Sequence, residues 1–454
     1  MNYVVNPGGR SGSVCIPASK SYVHRMLICA ALSYDKSVIL CDGLSKDILA
    51  TMDCLKALGA DIVLFEKGKM SVTPLMPGKD NDREAVLPCN ESGSTLRFLL
   101  PIAAAIGRKS VFEMEPGLAA RPVDPILNVL NEHGVSVSRD TQSNTISVEG
   151  KLQPGDYSIP GNISSQYISG LLMALPLLDG NSRLEITGNL ESADYVKITE
   201  DVLEFAGIRF EKCDNVYVIP GKQRCRLNIY VDGLSVERDW SNAAFFMCMG
   251  ALSEKGILLR DMPMNSAQGD KKIIDILKDF GANIQIESDD EKDKASGNSN
   301  MDGMLSVFVK KGELKGQIID ASEIPDLVPT IASLASLAEG TTRIINAGRL
   351  RIKESDRLKS TSEMLRALGA YVIEEDDALE IHGREYLSGG IADACNDHRI
   401  AMAAAVAACG CKGEVTVCGA QCVAKSYPGF WDDFGKLEAE EGKEERQTNE
   451  QQLR

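Results

Sequence analysis

The sequence contains no run of about 18 or more uncharged apolar residues, the length at which a membrane-spanning helix becomes a candidate. Its first ten residues, MNYVVNPGGR, also lack the apolar core of a secretory signal. From these two absences we expect a cytoplasmic protein that does not enter a membrane.

Positive charge is in deficit, because 49 lysines and arginines stand against 65 aspartates and glutamates and leave a net charge of −16. Such a surface repels nucleic acid and anionic membranes, so we expect neither as a partner. An anionic ligand would need a local cluster of cations. Dense basic segments of this chain are therefore informative.

Cysteine is plentiful, with 13 residues, but the Cys-x-x-Cys spacing of many metal and redox sites is absent. Most cysteines lie in apolar runs such as RMLICAAL, where a thiol packs as a small hydrophobic group. The cluster of Cys409, Cys411, Cys418 and Cys422 could ligate zinc. We favour buried, reduced thiols at these positions over a metal site.

Length and composition indicate a folded protein of more than one domain. The chain has 454 residues, of which 44% are hydrophobic and 25% are charged, as in soluble globular proteins. A chain of this length exceeds one ordinary hydrophobic core, so two domains are expected.

One segment type recurs along the chain: an amphipathic helix that ends at a glycine and runs into a strand. The glycines are Gly59, Gly134, Gly207, Gly281 and Gly369. They are spaced by 75, 73, 74 and 88 residues, and the longest step contains the polar stretch 288–300, which predicts a surface loop. A second, almost wholly apolar helix recurs between them and is predicted to be buried. The pattern indicates an α/β protein of six β-α-β-α-β-β units, three in each domain.

The repeat also predicts where the domains divide. One domain covers residues 19–236, and the other combines residues 1–18 with 237–435, so that two strands join the domains as a hinge. The first strand, residues 3–16, then belongs to the second half. The tail 436–454 is charged and has no apolar face, which predicts disorder or a frayed helix.

The apolar helices begin with polar or charged residues. A helix N-terminus carries free N–H groups and the positive end of the dipole, and both favour anions. If the helices run alike, their N-termini form an anion site in a cleft between the domains. The polar residues at these helix starts include Lys20, Arg25, Arg97, Asp239, Asp326, His398 and Arg399.

The segment RLRIKESDRL, residues 349–358, is unusually basic for the approach to a helix. Ser355 is the predicted N-cap of that helix. Arg351, Lys353, Arg357 and Lys359 crowd an end that repels cations, by some tenths of a kcal/mol for a like-charged pair four residues apart. We interpret the excess as a site for a bound anion.

Seven motifs together carry a resemblance to a known family: PASKSYVHR, ESGSTLR, NISSQYISGLLMALP, NSAQGD, IPDLVPT, RIKESDRL and NDHRIAM. In this order, across about residues 8–430, they resemble the enolpyruvyl transferase superfamily, and within it the branch that acts on shikimate 3-phosphate. The resemblance implies two inverse, barrel-like α/β domains of three repeats each.

The resemblance also implies a reaction. The enolpyruvyl group of phosphoenolpyruvate passes to the 5-hydroxyl of shikimate 3-phosphate through a tetrahedral intermediate, and phosphate is released. This is a step of the shikimate pathway to aromatic amino acids, and it needs no metal and no organic cofactor. We expect a monomer whose two anionic substrates close an otherwise open cleft.

Roles for individual residues follow from the family motifs. Lys20 and Glu354 are implied in proton transfer, and Asp326 as the base at the 5-hydroxyl. The residues implied to bind phosphoenolpyruvate are Lys20, Gly93, Arg121, Gln166, Arg357, Arg399 and Lys425. Those implied to contact shikimate 3-phosphate are Lys20, Ser21, Arg25, Ser164, Ser165, Gln166, Ser192, Tyr195, Asp326, Arg349 and Lys353.

Each role has a plainer alternative. Ser164 and Ser165 could serve only as helix caps, and Asp326 could serve only the helix dipole. Arg121 could be a surface turn residue. His398 is better interpreted as an orienting side chain than as an acid or base.

Some positions depart from the common family pattern. His24 and Arg349 stand where asparagine is usual, and Ala119 and Ala120 stand where an extra basic residue is frequent. Glu91 replaces an asparagine and places an acid beside the implied phosphoenolpyruvate pocket. Gly93 is retained, and because a side chain there would project into that pocket, the resemblance implies sensitivity to the inhibitor glyphosate.

Two other functions are alternatives to this one. The sister enzyme that acts on UDP-N-acetylglucosamine uses a cysteine on a mobile loop, and the corresponding stretch EPGLAARP, residues 115–122, has none. A relative that binds anions without catalysis would have lost at least one of Lys20, Asp326, Glu354 and Arg399, and all four are present.

Overall fold

The structure is a computed structural model that describes residues 1–76, 83–227, 233–287 and 304–440. The predicted loop 288–300 and the last 14 residues of the predicted tail lie outside the described residues. The chain divides into two compact units. We call residues Ala18–Val236 the central unit, and Met1–Pro17 with the chain from Glu237 onward the terminal unit.

Helices of the central unit carry most of its core. Their bounds are Lys20–Ala31, Lys46–Ala57, Gly93–Ala105, Pro116–Ala119, Asp124–Glu132, Ser165–Ala174 and Ala193–Phe205, with 3-10 turns at Glu66–Gly68 and Leu175–Leu177. In Gly93–Ala105 every residue except Ser94 is buried, which confirms the burial predicted from its apolar sequence.

The described strands of the central unit form three sheets of four strands. In order across the first sheet, the strands are Leu234–Ser235, Ser37–Leu40, Lys69–Thr73 and Asp61–Leu64. The order in the second sheet is Ala85–Asn90, Ser110–Met114, Thr145–Gly150 and Val135–Asp140. The order in the third sheet is Asp156–Pro160, Ser182–Thr187, Val216–Ile219 and Glu211–Cys213. In each sheet the first pair is parallel and the other two pairs are antiparallel. A parallel pair needs a helical crossover, which accounts for the apolar helix between those strands in the second and third sheets.

Helices of the terminal unit include several that are almost wholly apolar. Their bounds are Trp240–Ala251, Ile273–Phe280, Val328–Ala335, Arg357–Ala367, His398–Ala408 and Phe430–Lys436, with 3-10 turns at Gly269–Lys272, Pro325–Leu327, Gly348–Ile352 and Ala420–Lys425. All residues of His398–Ala408 are buried, including its polar start. The helix predicted after the basic segment is present, and Leu358, Leu365 and Leu368 are all fully buried.

The described strands of the terminal unit form sheets of five, four and three strands. Their orders are Asn283–Glu287, Met304–Lys310, Ile257–Pro263, Arg10–Cys15, Glu438–Ala439; Ile318–Asp320, Thr341–Ile345, Leu379–His382, Tyr371–Glu374; and Asn2–Val5, Val415–Cys418, Gly390–Asp393. The strand predicted at 3–16 is thus two strands, Asn2–Val5 and Arg10–Cys15, in two different sheets. Both pair with strands of the terminal unit.

Regular structure extends past residue 435, into the first residues of the predicted tail. Lys436 closes a helix, and Glu438–Ala439 pairs antiparallel with Arg10–Ser11. The Glu440 carboxylate accepts backbone hydrogen bonds from Glu254 and Lys255 at 3.0 and 2.7 Å. Assigning residues 436–440 to the tail was therefore wrong, because contacts with distant segments order a stretch that has no apolar face of its own.

Turn chemistry explains the repeated glycines. Gly59 follows the helix Lys46–Ala57 with φ at 109°, and Gly281 follows Ile273–Phe280 with φ at 98°. Residues other than glycine rarely adopt this left-handed backbone conformation. The conformation ends the helix and lets the chain turn directly into a strand. Among the described residues, no helix is both long and apolar enough to cross a membrane.

Candidate active site

Lys20 opens the first helix of the central unit. Its Nζ lies 2.8 Å from Oδ2 of Asp47, and both side chains are largely buried, with exposed fractions of 18% and 13%. Ser19 precedes it in an extended conformation and leaves the helix N-terminus available. The sequence-predicted lysine is therefore fixed by a carboxylate that the sequence analysis did not single out.

Arg25 lies one turn further on and draws three predicted positions together. Its guanidinium donates to the carbonyl oxygens of Ser21 at 2.8 Å and Tyr195 at 2.9 Å. It also donates to Oγ1 of Thr199 at 2.6 Å. Burial lowers the pKa of Arg25 to about 10, so the group stays charged at neutral pH. Here Tyr195 contributes its backbone to the arginine.

Gly93 begins a buried helix beside two arginines. A methyl carbon placed on Gly93 would lie 2.7 Å from Nη1 of Arg97 and 3.3 Å from Nη1 of Arg121. Arg97 donates to Oε1 of Gln166 at 2.7 Å, and Gln166 donates to Oγ of Ser94 at 2.9 Å. The structure thus brings Gly93, Arg121 and Gln166 together, with Arg97 as their link.

The serines of the central unit occupy helix starts. Ser164 is the N-cap of Ser165–Ala174, and its hydroxyl accepts from the backbone N–H of Gln166 at 3.3 Å. Ser192 is buried at the start of Ala193–Phe205 and has a left-handed φ of 55°.

The Glu91 carboxylate lies close to Gly117, since a methyl carbon placed on Gly117 would be 3.2 Å from Oε1 of Glu91. The unusual acid therefore faces the segment that leads to Arg121.

Asp326 is the centre of the charged cluster in the terminal unit. Its Oδ1 accepts from Nη1 of Arg357 at 2.7 Å and from Nζ of Lys353 at 3.4 Å. Its Oδ2 accepts from Nη2 of Arg399 at 2.9 Å. Burial on its own would raise the pKa of Asp326, but these three cations hold it well below its usual range. The predicted base is therefore an ionised carboxylate.

Arg357 connects that cluster to two further carboxylates. It pairs with Glu354, the predicted proton-transfer group, and its Nε donates to Oδ2 of Asp397 at 2.7 Å. Only 1% of the Arg357 side chain is exposed, and Asp397 is fully buried. Burial opposes the charge, yet Asp397, Glu354 and Asp326 together raise the pKa of Arg357.

The remaining predicted cations lie around this cluster. Burial lowers the pKa of Lys353, and Asp326 offsets this only in part. Arg349, in the 3-10 turn Gly348–Ile352, is close enough to Lys353 to lower its pKa further. Lys425 donates to the carbonyl of Asn396 at 3.3 Å. Arg357 and Arg399 lie in the first turns of two helices, Lys353 and Glu354 directly precede the helix of Arg357, and Asp326, Arg349 and Lys425 lie in 3-10 turns.

The cations of the basic segment, residues 349–358, are not the unbalanced excess of positive charge that the sequence suggested. Asp356, not Ser355, is the N-cap of Arg357–Ala367, and it accepts from the backbone N–H of Lys359 at 3.1 Å. Arg351 pairs with Asp356 and with Glu374 at 2.9 and 3.0 Å. The cations have carboxylate partners, several of them distant in sequence, which a local dipole argument does not include.

Three carboxylates of the site were missed by sequence reasoning: Asp47, Asp270 and Asp397. Asp270 is buried, accepts from the Ser241 hydroxyl, and is the last residue of the NSAQGD motif. Burial and the negative charges of Asp326 and Asp239 raise the pKa of Asp270 to about 7, although Arg399 opposes this. Asp397 belongs to the NDHRIAM motif, so this motif could have identified it as a candidate site residue.

The cysteines show no sign of metal binding in the part of the chain that the structure describes. That part holds no group of three or more His, Cys, Asp or Glu side chains arranged to bind an ion. Burial raises the pKa values of Cys409 and Cys411 to about 12, so both thiols are neutral at physiological pH.

Comparison with known proteins decides the family. Residues 5–434 match the family model for EPSP synthase, 3-phosphoshikimate 1-carboxyvinyltransferase. The chain belongs to this family. It is 43% identical to the 3-phosphoshikimate 1-carboxyvinyltransferase of Clostridium acetobutylicum, over 96% of this chain and 97% of the relative. Its identity to the enzyme of the same name from Clostridium kluyveri is also 43%, over 97% and 98% of the two chains.

Solved structures support the fold. The EPSP synthase of Acinetobacter baumannii superposes with a TM-score of 0.76 at 24% identity, covering 97% of this chain and all of that one. The enolpyruvyl transferase NikO of Streptomyces tendae gives 0.74 at 18% identity, covering 97% of both chains. The predicted membership of the enolpyruvyl transferase superfamily is confirmed. The division of the fold into six β-α-β-α-β-β units, three in each domain, stays a prediction.

Proposed function

We propose that the protein transfers the enolpyruvyl group of phosphoenolpyruvate to the 5-hydroxyl of shikimate 3-phosphate and releases phosphate. The observation that carries the proposal is the buried, ionised Asp326, held by Lys353, Arg357 and Arg399 in a chain of the EPSP synthase family. A carboxylate surrounded by cations suits a reaction that joins two anions at a hydroxyl group.

The first step is an addition across the double bond of phosphoenolpyruvate. Asp326 removes the proton of the 5-hydroxyl, and the oxygen forms a bond to C2 of phosphoenolpyruvate. Lys20 or Glu354 delivers a proton to the methylene carbon, which becomes a methyl group. The product is a tetrahedral intermediate that still carries the phosphate.

The second step is an elimination. A proton leaves the methyl group, the C2–C3 double bond forms again, and the bond from C2 to the phosphate oxygen breaks. Asp326 passes the proton taken from the hydroxyl to the departing phosphate, and the methyl group gives its extra proton back to Lys20 or Glu354, so the protein's acids and bases end as they began. Cations around the departing phosphate stabilise its charge.

Substrate binding would also adjust the base. Arg357, Arg399 and Lys353 lower the basicity of Asp326 while they contact it. Anionic substrate groups that draw these cations away raise the basicity of Asp326 when the hydroxyl arrives. The binding contacts and the activation of the base are then linked.

We assign shikimate 3-phosphate mainly to the central unit, through Lys20, Ser21, Arg25, Ser164 and Ser165. Phosphoenolpyruvate is assigned to the arginines near Gly93 and to the cations of the terminal unit. Monomeric action in the cytoplasm belongs to the same proposal.

The test is phosphate release from phosphoenolpyruvate in the presence of shikimate 3-phosphate. We expect release with this acceptor and none with UDP-N-acetylglucosamine. Asp326→Asn and Glu354→Gln should each lower kcat by roughly 100-fold or more, the usual contribution of a general acid or base. Asp320→Asn, an exposed carboxylate six residues before Asp326, is the matched control and should keep near-normal activity. Absence of release by the unaltered protein would leave only an anion-binding role.

A further inference from the structure

A buried chain of hydrogen bonds joins three helices of the central unit. Nδ1 of His24 lies 2.7 Å from Oγ1 of Thr51, which lies 2.6 Å from Oγ1 of Thr95. The Thr95 hydroxyl donates to Oγ of Ser92 at 2.7 Å. None of the four side chains is more than 1% exposed. Water therefore does not compete for these bonds, and each depends on the next.

The direction of the hydrogens can be worked out from the donors available. Each hydroxyl has one hydrogen to donate. Thr95 gives its hydrogen to Ser92, so the bond between the threonines is donated by Thr51. Thr51 then has none left for His24, and the histidine must carry its hydrogen on Nδ1.

The charge state of His24 agrees with this chain. Burial, with help from Lys20 and Arg25, keeps the pKa of His24 well below 6.5, so the ring is neutral at physiological pH. Nε2 has no hydrogen-bond partner among the described residues. A neutral ring with its hydrogen on Nδ1 leaves Nε2 as a bare acceptor, a cheaper group to bury than an unsatisfied N–H.

The chain ends beside the residues to which we assign phosphoenolpyruvate. Ser92 is the N-cap of Gly93–Ala105, and its hydroxyl also accepts from the backbone N–H of Thr95 at 3.3 Å. The next residue is Gly93, which faces Arg97 and Arg121. The other end, His24, lies one turn after Lys20 in the same helix.

We propose that His24 is a positioning residue for phosphoenolpyruvate: through Thr51 and Thr95 it fixes the Ser92–Gly93 turn against the helix that carries Lys20. The inference rests on the proposed function, since it names a residue that sets affinity for one of the two substrates. Loss of the donor lets the turn move relative to Arg97 and Arg121. Affinity for phosphoenolpyruvate falls, whereas shikimate 3-phosphate binding changes little.

The experiment compares His24→Leu, which removes the donor, with His24→Asn, whose amide nitrogen can replace Nδ1. We expect His24→Leu to raise the KM for phosphoenolpyruvate roughly tenfold, the scale of one buried hydrogen bond, with kcat and the other KM within about twofold. His24→Asn should restore most of the loss. Thr51→Val should reproduce the effect, and the double variant should add nothing, because both act through one chain.

Ser182→Ala is the control, since it removes a buried hydroxyl of the same unit that lies outside the chain. Equal increases in both KM values, or an unchanged KM for phosphoenolpyruvate in His24→Leu, would overturn the inference. Inactive unaltered protein would instead count against the proposed function.

A measurement on the unaltered protein covers the case in which His24→Leu does not fold. The sequence contains only four histidines, so nitrogen-15 spectra of labelled imidazoles can be resolved. We expect one ring that stays neutral well below pH 6.5 with its hydrogen on Nδ1. A hydrogen on Nε2 of that ring would refute the chain as assigned.

Discussion

Replacing Asp397 by asparagine is the sharpest test of the charged cluster, because it changes one charge and almost no volume. The two Asp397 oxygens accept from Nε and Nη2 of Arg357 at 2.7 and 3.3 Å. They also accept from Ser355 at 3.1 Å and from the backbone N–H of Arg399 at 3.0 Å. An asparagine oxygen can keep the bond to Arg399, but its NH₂ group then faces the donors of Arg357.

The expected cost follows from burial. Breaking a buried ion pair by removing one partner typically costs roughly 3–5 kcal/mol. Arg357 keeps Asp326 and Glu354 as partners, so we take the lower end, about 3 kcal/mol of unfolding free energy. The guanidinium should also rotate toward those partners and raise the KM for phosphoenolpyruvate about tenfold, which corresponds to about 1.4 kcal/mol.

Tryptophan fluorescence provides the assay for stability. Both tryptophans, Trp240 and Trp431, lie in the terminal unit together with Asp397, so urea unfolding followed by fluorescence reports on this unit. Glu363→Gln is the control, because the exposed pair of Glu363 with Lys359 on the same helix should contribute less than about 1 kcal/mol. A loss below about 1 kcal/mol in Asp397→Asn, with an unchanged KM, would refute the reasoning.

Two further predictions concern single side chains. Gly93→Ala places a methyl carbon 2.7 Å from Nη1 of Arg97, so the guanidinium must shift by several tenths of an ångström and stretch its 2.7 Å bond to Gln166. We expect the KM for phosphoenolpyruvate to rise by roughly 10- to 100-fold, the range of one lost charged hydrogen bond, and glyphosate inhibition to weaken. Equal glyphosate inhibition of the variant and the unaltered protein would contradict the assignment of phosphoenolpyruvate to this position. The pKa of Asp270 is about 7 in the folded protein, against an ordinary value of 3.8. Between pH 3.8 and 7 the folded state therefore binds more protons than the unfolded state, and the free energy of unfolding falls as the pH rises through that interval, by up to roughly 4 kcal/mol. Asp270→Asn should therefore flatten the dependence of urea stability on pH between about 4 and 7, and an unaltered slope would exclude Asp270 as its source.

Local periodicity predicted much of the fold because its causes are local. Apolar helices such as Gly93–Ala105 and His398–Ala408 are buried as their sequences require, and Gly59 and Gly281 end helices in the left-handed conformation. The family resemblance named Lys353, Arg357 and Arg399 as substrate-binding residues, and it did not predict that they pair with Asp326. All three contact that carboxylate.

Through-space pairing was not predictable in the same way. Asp397 lies 40 residues from Arg357, and no periodicity relates the two positions. His24 and Thr95 are joined only through Thr51, which belongs to a third helix. The ordered position of Glu440 was missed for the same reason, because its hydrogen bonds come from the distant backbone of Glu254 and Lys255.

The basic segment 349–358 shows what pairing changes about function. If its cations had no partners, an anion would bind by simple attraction. Since Arg357 and Lys353 already contact Asp326, a substrate anion must instead exchange places with a carboxylate. The net affinity is then a difference between two strong interactions, and the displaced carboxylate becomes more basic as the anion binds. In the reaction we propose, the same exchange that limits affinity would prepare Asp326 to accept a proton.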